Sequence, residues 1–360
     1  MRAVTRSLPL LMAALAALLL APPASAQGSL SLSGFAVARD ASGSGAMFPE
    51  DGPSSQVQLG IDWRLSMHLD AHVHLLGRDD PDGSHRGSAG IVQAYAVARL
   101  PRVRIMAGAF FLPTSRENVD DLWESPYTIS SSALNTWLGE ELRPIGVDVA
   151  YSPIRSLTAG ATLFRGNDTF GALPIARGWH LGDRWSLLGE HVPVDPSYYT
   201  SVSAETDGRL GWSARARWSA GGANVQLTRI DNRSDADEHG DLLNWETPFT
   251  IASADFTRGD WTLATEYGWG ESTVREDNVP FTGTLSTTYV LLSRRFRSVR
   301  ATLRAEEFRS IDTRHHAVTA AVFWSPRGHL RAGLETIIAG SDRRVTAELR
   351  YSFAATSARP

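Results

Sequence analysis

The sequence predicts an all-β protein: a 16-stranded antiparallel transmembrane β-barrel, closed on itself, with short turns at one end and long loops at the other. Three observations predict it. Apolar and polar residues alternate in segments of about ten residues, the length that crosses a bilayer when tilted. The connections between these segments alternate between short and long. Aromatic residues gather beside the short connections, as rings do at a membrane interface.

Period two is plainest in three places. Val57, Leu59, Ile61 and Trp63 share one face of their segment, while Gln56, Gln58, Gly60, Asp62 and Arg64 share the other. Met67, Leu69, Ala71, Val73 and Leu75 oppose His68, Asp70, His72 and His74. Near the end, Val345, Ala347, Leu349, Tyr351 and Phe353 oppose Arg344, Thr346, Glu348, Arg350 and Ser352. Such alternation marks a strand with one apolar and one polar face. The sixteen expected strands span 29–40, 55–64, 66–77, 89–100, 102–112, 144–152, 156–166, 208–219, 222–232, 248–257, 260–271, 284–296, 298–309, 314–325, 328–338 and 343–353.

Short links fall near Leu65, Pro101, Ser152-Pro153, Ala220-Gly221, Arg258-Gly259, Arg297 and Ser325-Pro326-Arg327. The intervening links are 41–54, 78–88, 113–143, 167–207, 233–247, 272–283, 310–313 and 339–342, most of them long and polar. In an outer-membrane barrel the short turns are periplasmic and the long loops extracellular. An even strand count returns both chain ends to the periplasmic side. Trp63, Tyr151, Trp218, Phe256, Trp261, Phe296, Trp324, Tyr351 and Phe353 lie beside the short turns and read as an interfacial girdle. Phe111 and Trp269 are candidates for a sparser girdle at the other rim.

Residues 1–26 stand outside this pattern. Arg2 and Arg6 precede an apolar run from Leu8 to Leu20, and Ala24-Ser25-Ala26 is a small-x-small cleavage site. That is a secretory signal, and its apolar run is short for a retained membrane anchor. The barrel is then expected over 27–353, with 354–360 as a short periplasmic tail.

Composition excludes several classes. There is no cysteine, hence no disulfide, thiolate metal site or cysteine nucleophile. A net charge of −4 supplies no basic field for nucleic acid. The mean hydropathy of −0.18 is compatible with a membrane barrel, since only alternate residues meet lipid. All 35 basic residues are arginine, so every cation on a polar face is a permanently charged fork. An exported β-sandwich would have strands of about 5–6 residues. A β-solenoid would repeat its sequence at a fixed period. Neither description fits.

Closing about 16 strands leaves an interior too wide for side chains to fill, so the polar faces line water. The pore-wall candidates are Asp70, His72, Arg104, Arg215, Arg300, Arg304, Arg331, Glu335, Glu348 and Arg350, with Gln58, Asp62, Arg99, Asp148, Arg217 and Glu266 beside them. The link 113–143 is acidic, with Glu117, Asp120, Asp121, Glu124, Glu140 and Glu141 against Arg116 and Arg143. It is also rich in apolar residues for an exposed loop, among them Leu122, Trp123, Tyr127, Ile129, Leu134, Trp137 and Leu138. Such a loop must pack on something, either the inner wall or a neighbouring subunit. Folded inward, it forms a constriction whose candidate residues are Arg116, Glu117, Asp120, Asp121 and Glu124. Loop acids facing wall arginines would set a transverse field that favours small polar solutes. The link 167–207 is longer still and suits either a lid or a subunit contact.

Three stretches carry a family resemblance. Gly108-Ala-Phe-Phe-Leu-Pro-Thr-Ser-Arg-Glu117, Glu140-Glu-Leu-Arg-Pro-Ile-Gly-Val-Asp-Val-Ala-Tyr151 and Phe164-Arg-Gly-Asn-Asp168 resemble porins of the phosphate-selective O and P group. The resemblance covers roughly 100–170 and implies a 16-stranded, often trimeric, passive diffusion channel. Its expected partners are outer-membrane lipid and lipopolysaccharide, small polar solutes, and two further copies in a homotrimer, with no nucleic acid. Two departures stand out. Phosphate selectivity in that group depends on lysine, which this chain lacks. Its terminal aromatic is displaced inward, to Phe353.

Other chemistry fits less well. His72 and His74 share a polar face with His68 and Asp70 and suit pore lining better than a metal geometry. His315 and His316 are adjacent and point to opposite faces. No Gly-x-Ser-x-Gly elbow occurs, so no hydrolase is expected. An adhesive or structural barrel would need a plugged lumen. Tyr95, Phe110, Phe164, Trp123 and Trp137 could stack on sugar rings or pack the loop against the wall; packing is the stronger expectation. No cofactor and no metal is implied.

Overall fold

The computed structural model describes residues 29–44, 52–79, 88–182, 185–195, 198–276 and 279–357. The expected signal segment lies outside the described residues. In chain order the strands are β1 (Ser29–Ser44), β2 (Gly52–Arg64), β3 (Leu69–Arg78), β4 (Ala89–Arg99), β5 (Val103–Ala109), β6 (Ile145–Ile154), β7 (Leu157–Arg165), β8 (His191–Asp195), β9 (Tyr198–Ser201) and β10 (Gly211–Ala220). They continue as β11 (Ala223–Asp231), β12 (Glu238–His239), β13 (Leu242–Leu243), β14 (Pro248–Arg258), β15 (Trp261–Glu276), β16 (Val279–Phe296), β17 (Val299–Ser310), β18 (Thr313–Arg327), β19 (Leu330–Ala339) and β20 (Asp342–Ser357). Helix α1 (Ala133–Glu141) and a short π-helical turn (Leu173–Arg177) lie in the long connections.

Sixteen strands form one closed barrel, and β20 pairs antiparallel with β1 to complete it. The four remaining strands make two small hairpins, β8–β9 and β12–β13, inside the connections after β7 and β11. The sixteen expected strands are therefore the sixteen barrel strands. Their bounds differ where the alternation of apolar residues fades. β15 and β16 run on through the expected link 272–283 as a hairpin reaching Glu276 and Val279. Beyond the lipid both faces of a ladder can be polar, so its hydrogen bonds continue where the pattern stops. The expected link 310–313 is a two-residue turn at Ile311 and Asp312, with Ile311 at φ 53°. β20 passes Phe353 and runs to Ser357, because β1 offers it a partner as far as Leu30.

Burial is inverted relative to a water-soluble domain. On β6, Val147, Val149 and Tyr151 are 45%, 42% and 46% exposed, while Asp148 between them is fully buried. On β17, Leu303 is 53% exposed and its neighbour Arg304 is fully buried. Charged residues rarely bury completely unless paired, and large apolar side chains rarely stand out in rows. Both follow when lipid bathes the outside and the polar faces point inward.

Of the expected short-turn girdle, Trp63, Tyr151, Trp218, Phe256, Trp261, Phe296, Trp324 and Tyr351 are all exposed. At the opposite rim Trp269 is exposed and stacks on Tyr267 at 4.9 Å. Phe111 does not belong there. It is buried inside and stacks on Trp123 at 4.0 Å, because the chain leaves the sheet at Ala109, short of the expected 112. The β10–β11 turn uses Gly221 and Gly222 at φ 59° and 85°, the left-handed pair a tight hairpin needs. A Cβ on Gly222 would also lie 2.5 Å from the Thr257 carbonyl oxygen.

The closing seam has its own device. Gly34 on β1 stands opposite Phe353 on β20, and a Cβ on Gly34 would lie 2.8 Å from the phenyl ring. The ring covers the glycine backbone. Phe353→Ala should weaken the seam by about 1 kcal/mol, the scale of a cross-strand aromatic pair. Unfolding in urea from detergent micelles would measure it, and an unchanged midpoint would remove the seam role.

Candidate functional site

The working surface is the inside of the barrel, and the segment 113–143 crosses it. The crossing starts with chemistry at the end of β5. Phe110, Phe111 and Leu112 are apolar on successive positions, so no strand orientation can send all three to lipid. They turn inward instead, and the Phe111 N–H donates to the Gln93 side chain at 3.0 Å. The Arg143 guanidinium lies 3.3 Å over the Phe111 ring as the segment returns to the wall.

Between these points the segment touches two stretches of the wall. On one side Leu122 packs with Phe35 and Val37 of β1. There Glu124 accepts hydrogen bonds from the Gln58 amide at 2.8 Å and from the Arg350 guanidinium at 3.2 Å. Farther round the wall Arg304 of β17 is the hub. Its guanidinium donates to Glu117 at 2.5 Å, to Glu306 at 2.8 Å and to the Ser130 and Ser131 carbonyls at 2.8 and 3.2 Å. Glu335 of β19 accepts from the Ile129 and Ser130 amides at 2.7 and 3.0 Å. Glu306 accepts from the Ala133 amide at 2.9 Å, at the start of α1, where a negative charge suits the helix end. Ser132 caps that helix through the Asn135 amide. Glu266 of β15 accepts from the Arg116 amide at 2.9 Å and the Asn135 side chain at 2.6 Å.

The connection after β7 covers this segment through aromatic contacts. Trp123 meets Trp185 edge-on at 5.4 Å. Trp137 stacks on Phe170 at 4.5 Å and meets Trp179 at 5.5 Å. Phe110, Phe164, Trp123 and Trp137 are all buried in this packing. Tyr95 is only partly buried and lines the larger cavity, with edges of Phe110 and Trp123 beside it. Glu141, at the end of α1, accepts from the Trp137 indole at 2.6 Å, the Gly171 and Leu173 amides at 3.0 and 3.2 Å, and the Thr200 hydroxyl at 3.2 Å. Burial pushes this carboxyl up to about 7, against the four hydrogen bonds that hold it down.

Six of the expected wall residues fall into two groups. Arg304, Glu335 and Arg350 hold the loop. Asp70, Arg104 and Arg215 line open space toward the short turns, in a cavity of about 680 Å³ and an adjoining one of about 230 Å³. Asp70 pairs with Arg99, and His72 contacts Asp62 at 2.8 Å and lies tilted against the Tyr95 ring at 4.9 Å. Arg215 passes over Gly160 to reach Asp148 through two bonds of 2.5 and 2.8 Å. A Cβ on Gly160 would sit 2.5 Å from the Arg215 guanidinium carbon, so only glycine lets the arginine cross β7. Arg331 and Arg39 share Glu348 at 2.6 and 3.0 Å. Arg300 lies 5.2 Å over the Tyr127 ring.

The loop candidates divide as well. Glu117 and Glu124 meet wall arginines in direct contact, without a gap between them. Arg116 bonds Gln226 at 2.9 Å and lies 3.7 Å from Asp255. Asp120 and Asp121 are exposed and line the larger cavity. Sequence reasoning missed Glu306, Gln226 and Arg39. The Glu306-Glu307 pair blurs the alternation of β17, although counting on from Arg304 places Glu306 inside. Away from the lumen, Asp168, Glu205 and Asp207 bring carboxylate oxygens within 4.8 Å of one another.

No family model matches this sequence, and no curated protein matches it. Solved structures match the fold. OmpT in trimer form, an outer membrane protein of Vibrio cholerae, is 12% identical with a TM-score of 0.61 over 91% of this chain and 99% of its own. Salmonella typhi OmpF in complex with daunomycin is 12% identical with a TM-score of 0.59, covering 90% of this chain and 97% of its own. A variant porin of Rh. blastica is 9% identical with a TM-score of 0.51, covering 90% and 100%. At these identities the similarity is one of fold: this chain has the closed 16-stranded architecture of outer-membrane porins.

Two predictions follow from the anchors. Arg304→Met leaves Glu117, Glu306 and Glu335 buried without their cation and should cost about 3–5 kcal/mol. New protease cleavage within 113–143, together with a lower urea midpoint, would report it; an uncut loop would show that Arg304 is not the hub. For Glu141, the folded protein keeps a proton that the unfolded chain loses near its ordinary value of 4.5. Its contribution to stability is full below that value and is lost as pH rises through about 7. Melting in detergent should therefore show a Tm falling from about pH 5 to about pH 8, with that part of the slope absent in Glu141→Gln.

Proposed function

We propose that this chain is a porin-like channel of the outer membrane, through which small hydrophilic solutes or ions diffuse passively. The observation that carries the reading is the open, polar-lined cavity of about 680 Å³ inside a closed barrel, bounded by a charged wall and by the inward segment 113–143. The outer face, apolar and ringed with aromatics beside the short turns, supports residence in outer-membrane lipid and lipopolysaccharide, with those turns on the periplasmic side. The trimer form of the similar Vibrio cholerae OmpT supports assembly as a homotrimer. The resemblance of 100–170 to the phosphate-selective O and P group is carried here as kinship of architecture, without phosphate selectivity. The reading assigns the chain no catalytic chemistry.

A second reading is a structural or adhesive barrel without transport. It is favoured by the aromatic packing of Trp123, Trp137, Phe170, Trp179 and Trp185, which fills lumen space on the long-loop side. Planar-bilayer recording separates the two. The channel reading expects discrete conductance steps from purified protein, and a severalfold larger step on deleting 118–136. Absence of steps from folded protein would favour the structural barrel. An unchanged step in the deletion would remove segment 113–143 from the conduction path.

A further inference from the structure

The larger cavity holds an arrangement of charge that the loop anchors do not explain. Its walls carry Arg102, Arg104 and Arg217 from the β4–β5 turn, β5 and β10. Among the described residues no carboxylate lies within ion-pair distance of any of the three, whereas the neighbouring Arg99, Arg116 and Arg215 face Asp70, Asp255 and Asp148. Arg104 has only the Met106 sulfur at 3.4 Å. The segment 113–143 contributes the opposite sign to the same space through Asp120 and Asp121, which are exposed and pair with no arginine. Asp120 spends one oxygen on the Leu122 and Glu124 amides, which fixes its direction.

Charges of both signs thus stand unpaired around one cavity, the cations on the strands and the anions on the loop. A free ion satisfies only one side. A molecule with an anionic group and a cationic group, separated by a short apolar stem, satisfies both. The stem has its own surface in Tyr95 and Val103, which line the same space. The volume falls in the range of small-molecule sites. Guanidinium forks suit a carboxylate, and carboxylates suit an ammonium group.

We propose that this cavity is a binding site for small zwitterions, molecules of the amino-acid or short-peptide kind, held with the carboxylate on Arg102, Arg104 and Arg217 and the ammonium on Asp120 and Asp121. The proposal deepens the channel reading by naming a solute class. Its test is kept apart from conduction by measuring binding to the folded protein in detergent. Isothermal titration would compare γ-aminobutyrate with butyrate and butylamine, which share the stem and carry one charge each. The zwitterion is expected to bind at least about tenfold more tightly than either, a difference of about 1.4 kcal/mol. Arg104→Gln with Arg217→Gln should reduce its affinity to that of butylamine. Asp120→Asn with Asp121→Asn should reduce it to that of butyrate. These side chains border open space, so both double variants should fold, and heat-modifiable mobility on a gel verifies it. If either pair fails that check, the single Arg217→Gln and Asp121→Asn variants replace it. Equal affinity for all three solutes, butyrate alone binding as tightly as the zwitterion, or no binding would overturn the proposal. Conductance without zwitterion preference would leave the channel reading standing while removing this one.

Discussion

Everything in this molecule depends on one requirement: in a lipid interior every backbone N–H and C=O must find a partner within the protein. A sheet with a free edge cannot meet it, and a ring of strands can. The pairing of β1 with β20 is therefore the contact without which no other strand could remain in a membrane. Closure then dictates the burial pattern. Leucine, valine and tyrosine stand outward in lipid, and aspartate, glutamate and arginine are enclosed.

Enclosing charge has a cost that the barrel meets through pairing. Arg304 faces Glu117, Glu306 and the Ser130 and Ser131 carbonyls, and the carboxylates it leaves short of cations receive backbone amides. Glu335 receives two and Glu306 one. A buried pair stabilises little by itself, but losing one member is expensive. The result is positional specificity: segment 113–143 has one place to sit, with Glu124 fixed by Gln58 and Arg350 and Glu117 fixed by Arg304. Toward the short turns Arg215 closes on Asp148 and Arg99 on Asp70, while Arg102, Arg104 and Arg217 line the open cavity with no carboxylate partner among the described residues.

Much of this was legible in the sequence, and the reasons differ by region. The strands were legible because one face of each must be apolar, a period that survives any register. The hairpin extension of β15 and β16 was not, since outside lipid that demand lapses. The enclosure of segment 113–143 could be inferred from Trp123, Trp137 and Leu138 in a stretch too apolar for water. The partners of its acids could not be inferred. Glu117 and Arg304 are far apart in the chain, and only the curvature of the wall brings them to 2.5 Å. An open field across the lumen was expected from the loop acids, yet Glu117 and Glu124 close directly on arginines, leaving Asp120 and Asp121 to face solvent. Glycine at 160 also carries no sequence signal of its role, which exists only because Arg215 crosses β7 to reach Asp148.

The seam between the first and last strands also bears on how the chain is made. Leu30 and Ser357 are partners, so the contact that seals the sheet joins the two extremities of the barrel. Such long-range pairing is slow, because the entropy of bringing distant segments together is spent before any bond rewards it. Until β20 is made, the outer edge of β1 has no partner in the barrel. Closure therefore waits for the last strand, and until then the open edge of the sheet must be kept from pairing with other chains.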